Sequence, residues 1–297
     1  MITITGASGK LGRAVAHELV GRTDTASVTL GTRTPVNVED LGKQGFNIAV
    51  ADFERPETLT TMFRGSQAAL IICGHGDNET RIRQHKNALT AARDAGVGRL
   101  LYTSFTNPIA SSLFPFAQVH EASEAFALEI GLRCTFLRNN HYAENLQAAL
   151  AHARKTGVLA LPGARGKVAY IARADIAAAT AGALTRDNGR MEAEITGNEA
   201  FDLFEVAELA SQAWGMKVTA REMPEAEYAR LLRERGLPSF VVEAQVGIRL
   251  AAGAGEYARV TRDAEQLAGR PIGDLSSYLK AFGSDAVAGR PGNETAA

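Results

Sequence analysis

A strand-like run, Met1-Ile2-Thr3-Ile4-Thr5, passes directly into Gly6-Ala7-Ser8-Gly9-Lys10-Leu11-Gly12 and then into a helix-like stretch from Arg13 to Val20. Glycine lets the backbone turn sharply and come close to a phosphate, and a later glycine lets helix and strand pack together. The helix amino terminus then offers unpaired N–H groups to an anion. Strand, glycine turn and helix in that order are what a nucleotide pyrophosphate requires. The spacing is Gly-x-x-Gly-x-x-Gly rather than Gly-x-Gly-x-x-Gly, so its meaning depends on the strand before it and the helix after it.

The rest of the first half supports that context. Strands are expected at 1–5, 26–32, 46–51, 68–73, 99–103 and 134–137, with helices at 11–20, 56–63, 78–95 and 119–130 between them. Such alternation predicts an α/β fold with a Rossmann-like doubly wound parallel sheet. Residues 1–138 are therefore read as a nucleotide-binding domain, with a strand and a helix returning to it around 167–197. Leu159-Pro162-Gly163 reads as a turn leading to a strand at 167–171, an alanine-rich helix starts at Asp175, and 192–196 reads as one more strand. Asp202 and Glu205 have capping-box spacing, so a helix should run from there to about Trp214. Further helices are expected at 225–234, 240–251 and 276–282, making 139–283 a smaller, mostly helical substrate-binding part and 284–297 a loose tail.

With 297 residues and 45% hydrophobic content there is enough apolar side chain for a full core. The formal charge of −1, with acids and bases interspersed, argues against nucleic-acid or anionic-membrane partners. The apolar runs are strand-sized and a core strand is expected at residue 1, so no membrane span or cleavable signal is expected and a cytoplasmic location follows. Cys73 and Cys134 lie within strand-like apolar runs and read as core thiols. The sequence leaves the oligomeric state open, a homodimer included.

Cofactor preference is read at the end of the second strand, Leu30-Gly31-Thr32-Arg33. A site that prefers NADH carries a carboxylate there for the ribose 2′-hydroxyl; Arg33 suits the 2′-phosphate of NADPH instead, by forked contacts or by stacking on adenine. Lys10 and Arg13 add positive charge near the phosphates. Ligands line the carboxyl edge of such sheets. Asp52 and Phe53 should therefore flank adenine, and Cys73, Gly74 and His75 the middle of the cofactor.

The motifs resemble the short-chain dehydrogenase/reductase superfamily, whose usual catalytic pair is Tyr-x-x-x-Lys. Four places after the tyrosines stand Thr106, Leu146, Ala174, Leu232, Thr261 and Phe282, and no lysine occurs from 87 to 154. The matching place reads Val119-His120-Glu121-Ala122-Ser123-Glu124. Reducing an ordinary ketone creates an alkoxide that needs a tuned proton donor. Quinones, azo groups and cationic dyes delocalise the incoming charge, so an enzyme of this kind should act on good hydride acceptors.

Within that superfamily the chain is most similar to the NmrA-like branch, which includes quinone, triphenylmethane-dye and azo-dye reductases. The matching segments are Ile4 to Gly12, Arg33, Ala51-Asp52, Ala92-Arg93-Asp94-Ala95-Gly96-Val97, Tyr102-Thr103-Ser104, Leu137-Arg138-Asn139, Tyr142-x-Glu144-Asn145 and Arg173-Ala174-Asp175. The resemblance implies that Thr103, Asn139 and Asn140 lie on the cofactor side and that His141, Tyr142 and Glu144 line the nicotinamide pocket. Where related quinone reductases often carry lysine after the glutamate matching Glu124, this chain has Ala125.

His120 could orient substrate or relay a proton, or bond to backbone or water, and Tyr142 is the other candidate for the proton. His85 reads as a core histidine and Ser104 as a positioning residue. Phe105 is assigned to the substrate; with Phe114, Phe116 and Phe240 it could form an aromatic wall or ordinary core. No cluster has metal-ligand spacing. The expected function is NADPH-dependent hydride transfer to a small aromatic or quinonoid acceptor. The rivals are an NADP(H)-sensing regulator without turnover and a biosynthetic reductase or isomerase with another proton donor.

Overall fold

In the computed structural model, residues 1–187 and 189–284 are described. The expected tail at 284–297 falls, beyond Ser284, outside the described residues. The first half runs β1 (Ile2–Ile4), α1 (Lys10–Leu19), β2 (Val28–Thr32), α2 (Glu39–Gly42), β3 (Asn47–Val50), α3 (Pro56–Phe63), β4 (Ala68–Ile71), α4 (Asn78–Asp94), β5 (Arg99–Phe105), α5 (Ala117–Glu129) and β6 (Cys134–Asn139). The chain continues through α6 (Gln147–Thr156), β7 (Val158–Leu161), α7 (Arg173–Thr185), β8 (Glu192–Ile195), α8 (Leu203–Trp214) and β9 (Thr219–Glu222). It closes with α9 (Glu225–Glu234), α10 (Ser239–Gly253), α11 (Asp263–Ala268) and α12 (Leu275–Gly283).

Seven strands form one parallel sheet in the order β3-β2-β1-β4-β5-β6-β8. Because β4 returns to pair with β1 on the side opposite β2, the order reverses at β1, and the ends of β1 and β4 frame the crevice where dinucleotides bind. Thr5 fixes that crevice: its hydroxyl donates to the Leu70 carbonyl at 3.3 Å and accepts the Ile72 N–H at 3.0 Å. This is a Rossmann-like α/β fold.

Continuous apolar strands such as Ala68–Ile71, buried throughout, require cover on both faces. One face is covered by α1, α7 and α11, through Leu11, Val15, Ile176, Ala179 and Leu267, and the other by α3, α4 and α5, through Leu59, Phe63, Leu89 and Ala127. A third apolar cluster, including Phe114, Leu150, Leu159, Val206 and Tyr257, joins the helices of the second half to the carboxyl edge of the sheet.

The capping box at Asp202 and Glu205 forms as its spacing implies, each side chain accepting the other residue's N–H, at 2.9 and 2.7 Å. The strand expected at 167–171 does not form. Its backbone is divided among several partners: Val168 and Phe201 bond each other, the Tyr257 carbonyl accepts from Ala169, and the His141 carbonyl accepts from Ile171. Only single bridges result. The expected turn at 159–163 instead contains β7, which pairs in parallel with β9. Helices α6 and α11 also lay outside the expectations; neither has a side-chain cap to mark its start.

Candidate active site at the carboxyl edge of the sheet

The glycine turn has the geometry that its composition suggests. Gly6 adopts φ +66°, a conformation costly for any residue with a Cβ, and a Cβ on Gly12 would lie 2.3 Å from the Gly6 carbonyl oxygen. Gly9 occupies the N-cap of α1 without a side-chain bond, so no side chain caps the first-turn N–H groups. An uncapped helix start behind a close backbone approach fits an anionic pyrophosphate. Thr32 donates its hydroxyl to that of Ser8 at 3.1 Å, tying the turn to the end of β2.

Arg33 follows β2 directly and is exposed. Arg13 is not a free cation: it pairs with Asp40 at 2.7 Å and also donates to the Asn37 carbonyl. The pair straps the loop that follows Arg33 to α1. Asp52 accepts from the Glu54 N–H at 3.0 Å and pairs with Arg55, while Phe53 packs 3.3 Å from where a Gly74 Cβ would stand. Thr103 spends its hydroxyl on the neighbouring loop, accepting the Cys73 N–H at 2.9 Å and donating to the Ile71 carbonyl at 3.4 Å. Arg81 holds the same loop through the Gly76 carbonyl at 2.8 Å and stacks over Phe116. His75 is exposed beside it.

Behind this loop runs a buried polar chain. The Gly74 N–H donates to His85 Nε2 at 3.0 Å, so the ring proton of neutral His85 sits on Nδ1, which faces the hydroxyls of Ser123 at 2.9 Å and Tyr102 at 3.0 Å. Tyr102 lies 3.1 Å from His120 Nδ1 and can donate to it, which leaves the His120 proton on Nε2. Burial, reinforced by Arg81, lowers the pKa of His85 to about 3; burial, His85 and Arg81 together hold His120 well below the usual histidine range. Both rings are neutral near pH 7. The core reading of His85 agrees with this arrangement.

His120 stacks on Phe105 at 6.4 Å between centroids, and Phe105 also touches Phe114, His141 and Tyr257 at 5.0, 5.9 and 5.4 Å. Phe114 continues to Phe116, whereas Phe240 joins the apolar cluster of the second half without a ring contact to these residues. His141 is 1% exposed, neither of its ring nitrogens has a partner, and burial with nearby Arg249 lowers its pKa to about 3.

The other expected pocket residues bond to one another or to neighbouring elements. Asn139 donates to the Tyr142 hydroxyl at 3.3 Å while its own Oδ1 is buried without a partner, and Asn140 donates to the Tyr257 carbonyl at 3.0 Å. Burial raises the Tyr142 hydroxyl pKa, keeping it protonated. Glu144 accepts the Arg173 N–H at 3.1 Å on both oxygens and so caps α7. Ser104 donates to Glu124 at 2.6 Å, and Glu124 pairs with Arg138, an arrangement consistent with a positioning role.

A family model described as the NmrA-like family matches residues 1–266. The chain belongs to the NmrA-like family. It is 30% identical to quinone oxidoreductase 2 of Escherichia coli over 94% of this chain and 97% of that one. An Escherichia coli NADPH-dependent quinone oxidoreductase solved with NADPH superposes with a TM-score of 0.89 at 29% identity, covering 95% of this chain and 99% of that one. A Citrobacter triphenylmethane reductase solved with NADP(H) gives 0.87 at 29% identity over 95% and 100%. An NAD(P)H azoreductase of Xenophilus azovorans is 24% identical over 95% and 97%.

Three neighbours of His141 in this NmrA-like chain, Tyr170, Arg249 and Tyr257, were not among the residues singled out from the sequence. One signal was available for Arg249. It falls on the same helical stripe as Val242 and Val246, a position that normally carries an apolar side chain.

Proposed function

We propose that this chain is an NADPH-dependent oxidoreductase that passes a hydride directly to a planar conjugated acceptor, a quinone or an azo or triarylmethane dye. The observation that carries the reading is that the uncapped start of α1 and the rings of Phe105, His120 and His141 share the carboxyl edge of one sheet. NADPH supplies the hydride when bound. The turn Gly6 to Gly12 would hold its pyrophosphate, Arg33 its 2′-phosphate, Asp52 and Phe53 its adenine side, Cys73, Gly74, His75 and Thr103 its middle, and Asn139 and Asn140 the nicotinamide side.

The chain's own residues then have modest chemical demands. Flat rings at Phe105, Phe114 and Phe116 exclude water and favour a flat acceptor. His120 presents a neutral N–H donor that orients the acceptor, and Tyr142 keeps its proton. Without a Tyr-x-x-x-Lys pair, these groups suit acceptors that spread the incoming charge. The named activities of the relatives point the same way. A small aromatic substrate and a cytoplasmic location complete the reading.

The test is NADPH oxidation against 1,4-naphthoquinones, an azo dye and a cationic triphenylmethane dye. Turnover with at least one class is expected. NADPH binding with no oxidation by any of them would turn the assignment to a nucleotide sensor. A neighbour described as a negative transcriptional regulator, at 15% identity, supports only the shared fold.

A further inference from the structure

Arg249 is 6% exposed on α10, and no carboxylate pairs with it among the described residues. Its only hydrogen bond there runs from Nη1 to the Tyr170 hydroxyl, at 3.5 Å, and its Nε has no partner. The Tyr257 hydroxyl and both ring nitrogens of His141 are likewise buried and unpartnered. These groups are neighbours. The His141 ring lies 4.9 Å from that of Tyr257 and 5.9 Å from that of Tyr170. Buried polar groups are normally bonded and buried charges normally paired. A guanidinium that stays charged, with an unused edge beside hydroxyl and imidazole groups, is the arrangement that receives an anionic oxygen.

Phe105 connects this cluster to the hydride end, touching His120 on one side and His141 and Tyr257 on the other. A cavity of about 100 Å³ adjoins Tyr170, lined by Ala143, Gly273, Asp274 and Tyr278. The one carboxylate there, Asp274, is engaged by the Ser277 N–H at 2.6 Å.

We propose that Arg249, Tyr257 and His141 form an anion subsite that binds a negatively charged oxygen of the planar acceptor. The proposal rests on the reductase reading for the identity of the ligand. The oxygen has two sources. One is a permanent acidic substituent such as a sulfonate. The other is the acceptor's own carbonyl oxygen: the hydride leaves NADPH as NADP⁺ and its hydrogen ends on the far carbonyl oxygen, the near carbonyl oxygen becomes an oxyanion, and one proton from solvent completes the hydroquinone.

Binding is measured by calorimetry on the NADP⁺-loaded protein with naphthalene-2-sulfonate and with neutral naphthalene-2-methanol, and turnover with 2-methyl-1,4-naphthoquinone. If a substituent is the source, the sulfonate binds at least about tenfold tighter than the alcohol, and Arg249→Met cuts that preference below about threefold. If the carbonyl oxygen is the source, the probes bind alike. Arg249→Met then lowers kcat by roughly 100-fold, with KM and NADPH affinity within about threefold. Should Arg249→Met fail to fold, Arg249→Lys, which keeps the charge and loses the fork, and Tyr257→Phe replace it, with smaller losses expected in the same readouts. Equal binding of the two probes, with kcat unchanged in the variants, overturns the subsite. Tighter sulfonate binding by a protein that oxidises NADPH with no acceptor keeps the subsite and removes the reductase reading.

Discussion

At the scale of single residues, position within an element decides chemistry more than residue type does. Arg13 and Arg33 are both cations near the glycine turn, yet Arg13 is held by Asp40 while Arg33 is exposed at the end of β2. Arg33→Asp is expected to weaken NADPH binding by about 1.5–3 kcal/mol, the worth of hydrogen bonds to a charged group, and to leave NADH binding nearly unchanged. Fluorescence titration with both nucleotides checks this, and an unaltered NADPH preference removes Arg33 from the phosphate. Gly12→Ala puts a Cβ against backbone at 2.3 Å, so a loss of about 1–3 kcal/mol of stability and much weaker binding of either nucleotide are expected by thermal melt and titration. The place of Arg33 was legible because the end of the second strand is a fixed point of this fold, and the titration decides its role. Arg249 was not legible, because what distinguishes it is the absence of a partner, which only three-dimensional packing reveals.

At the scale of elements, the termini carry the information. Asp202 and Glu205 announced α8 through a local bond that needs no tertiary structure. Glu144 gave no such notice: it caps α7 from 29 residues away, and from sequence it read as a substrate residue. Glu144→Ala is expected to cost ~1 kcal/mol by chemical denaturation, with or without NADPH, as the loss of a helix cap does. A changed KM with unchanged stability would instead support its expected place in the substrate pocket. The strand expected at 167–171 failed for a similar reason, since its backbone partners come from 141, 143, 197, 201 and 257, none adjacent to it in sequence. Helix and strand periods show which face is buried, but not which distant segment supplies the cover.

At the scale of the whole molecule, three histidines are buried in neutral form. His85 and His141 have pKa values of about 3, and His120 lies well below its ordinary value. In the unfolded chain each takes up a proton near pH 6.5. Between that pH and the folded values the unfolded state binds more protons, so stability is full above about pH 7 and falls as pH drops. Denaturation midpoints measured from pH 7.5 to 5 should show a slope approaching about three protons. His141→Leu should reduce it by about one. A flat profile across that range would show that these rings titrate in the folded protein as they do in the unfolded chain.

The path of the chain separates what holds the cofactor from what shapes the rest of the site. After β6 it leaves the sheet for α6 and β7, returns as α7 and β8, leaves again for α8, β9, α9 and α10, and returns once more as α11 against α7. The frame is therefore sewn shut by two late passes, and no single cut yields an intact nucleotide-binding half. The excursions are anchored at both ends on that frame, so they can diverge in length and sequence while the sheet edge beneath them stays in place. On the proposed function, exchange of the 197–260 excursion between relatives is expected to change acceptor preference and leave NADPH affinity in place.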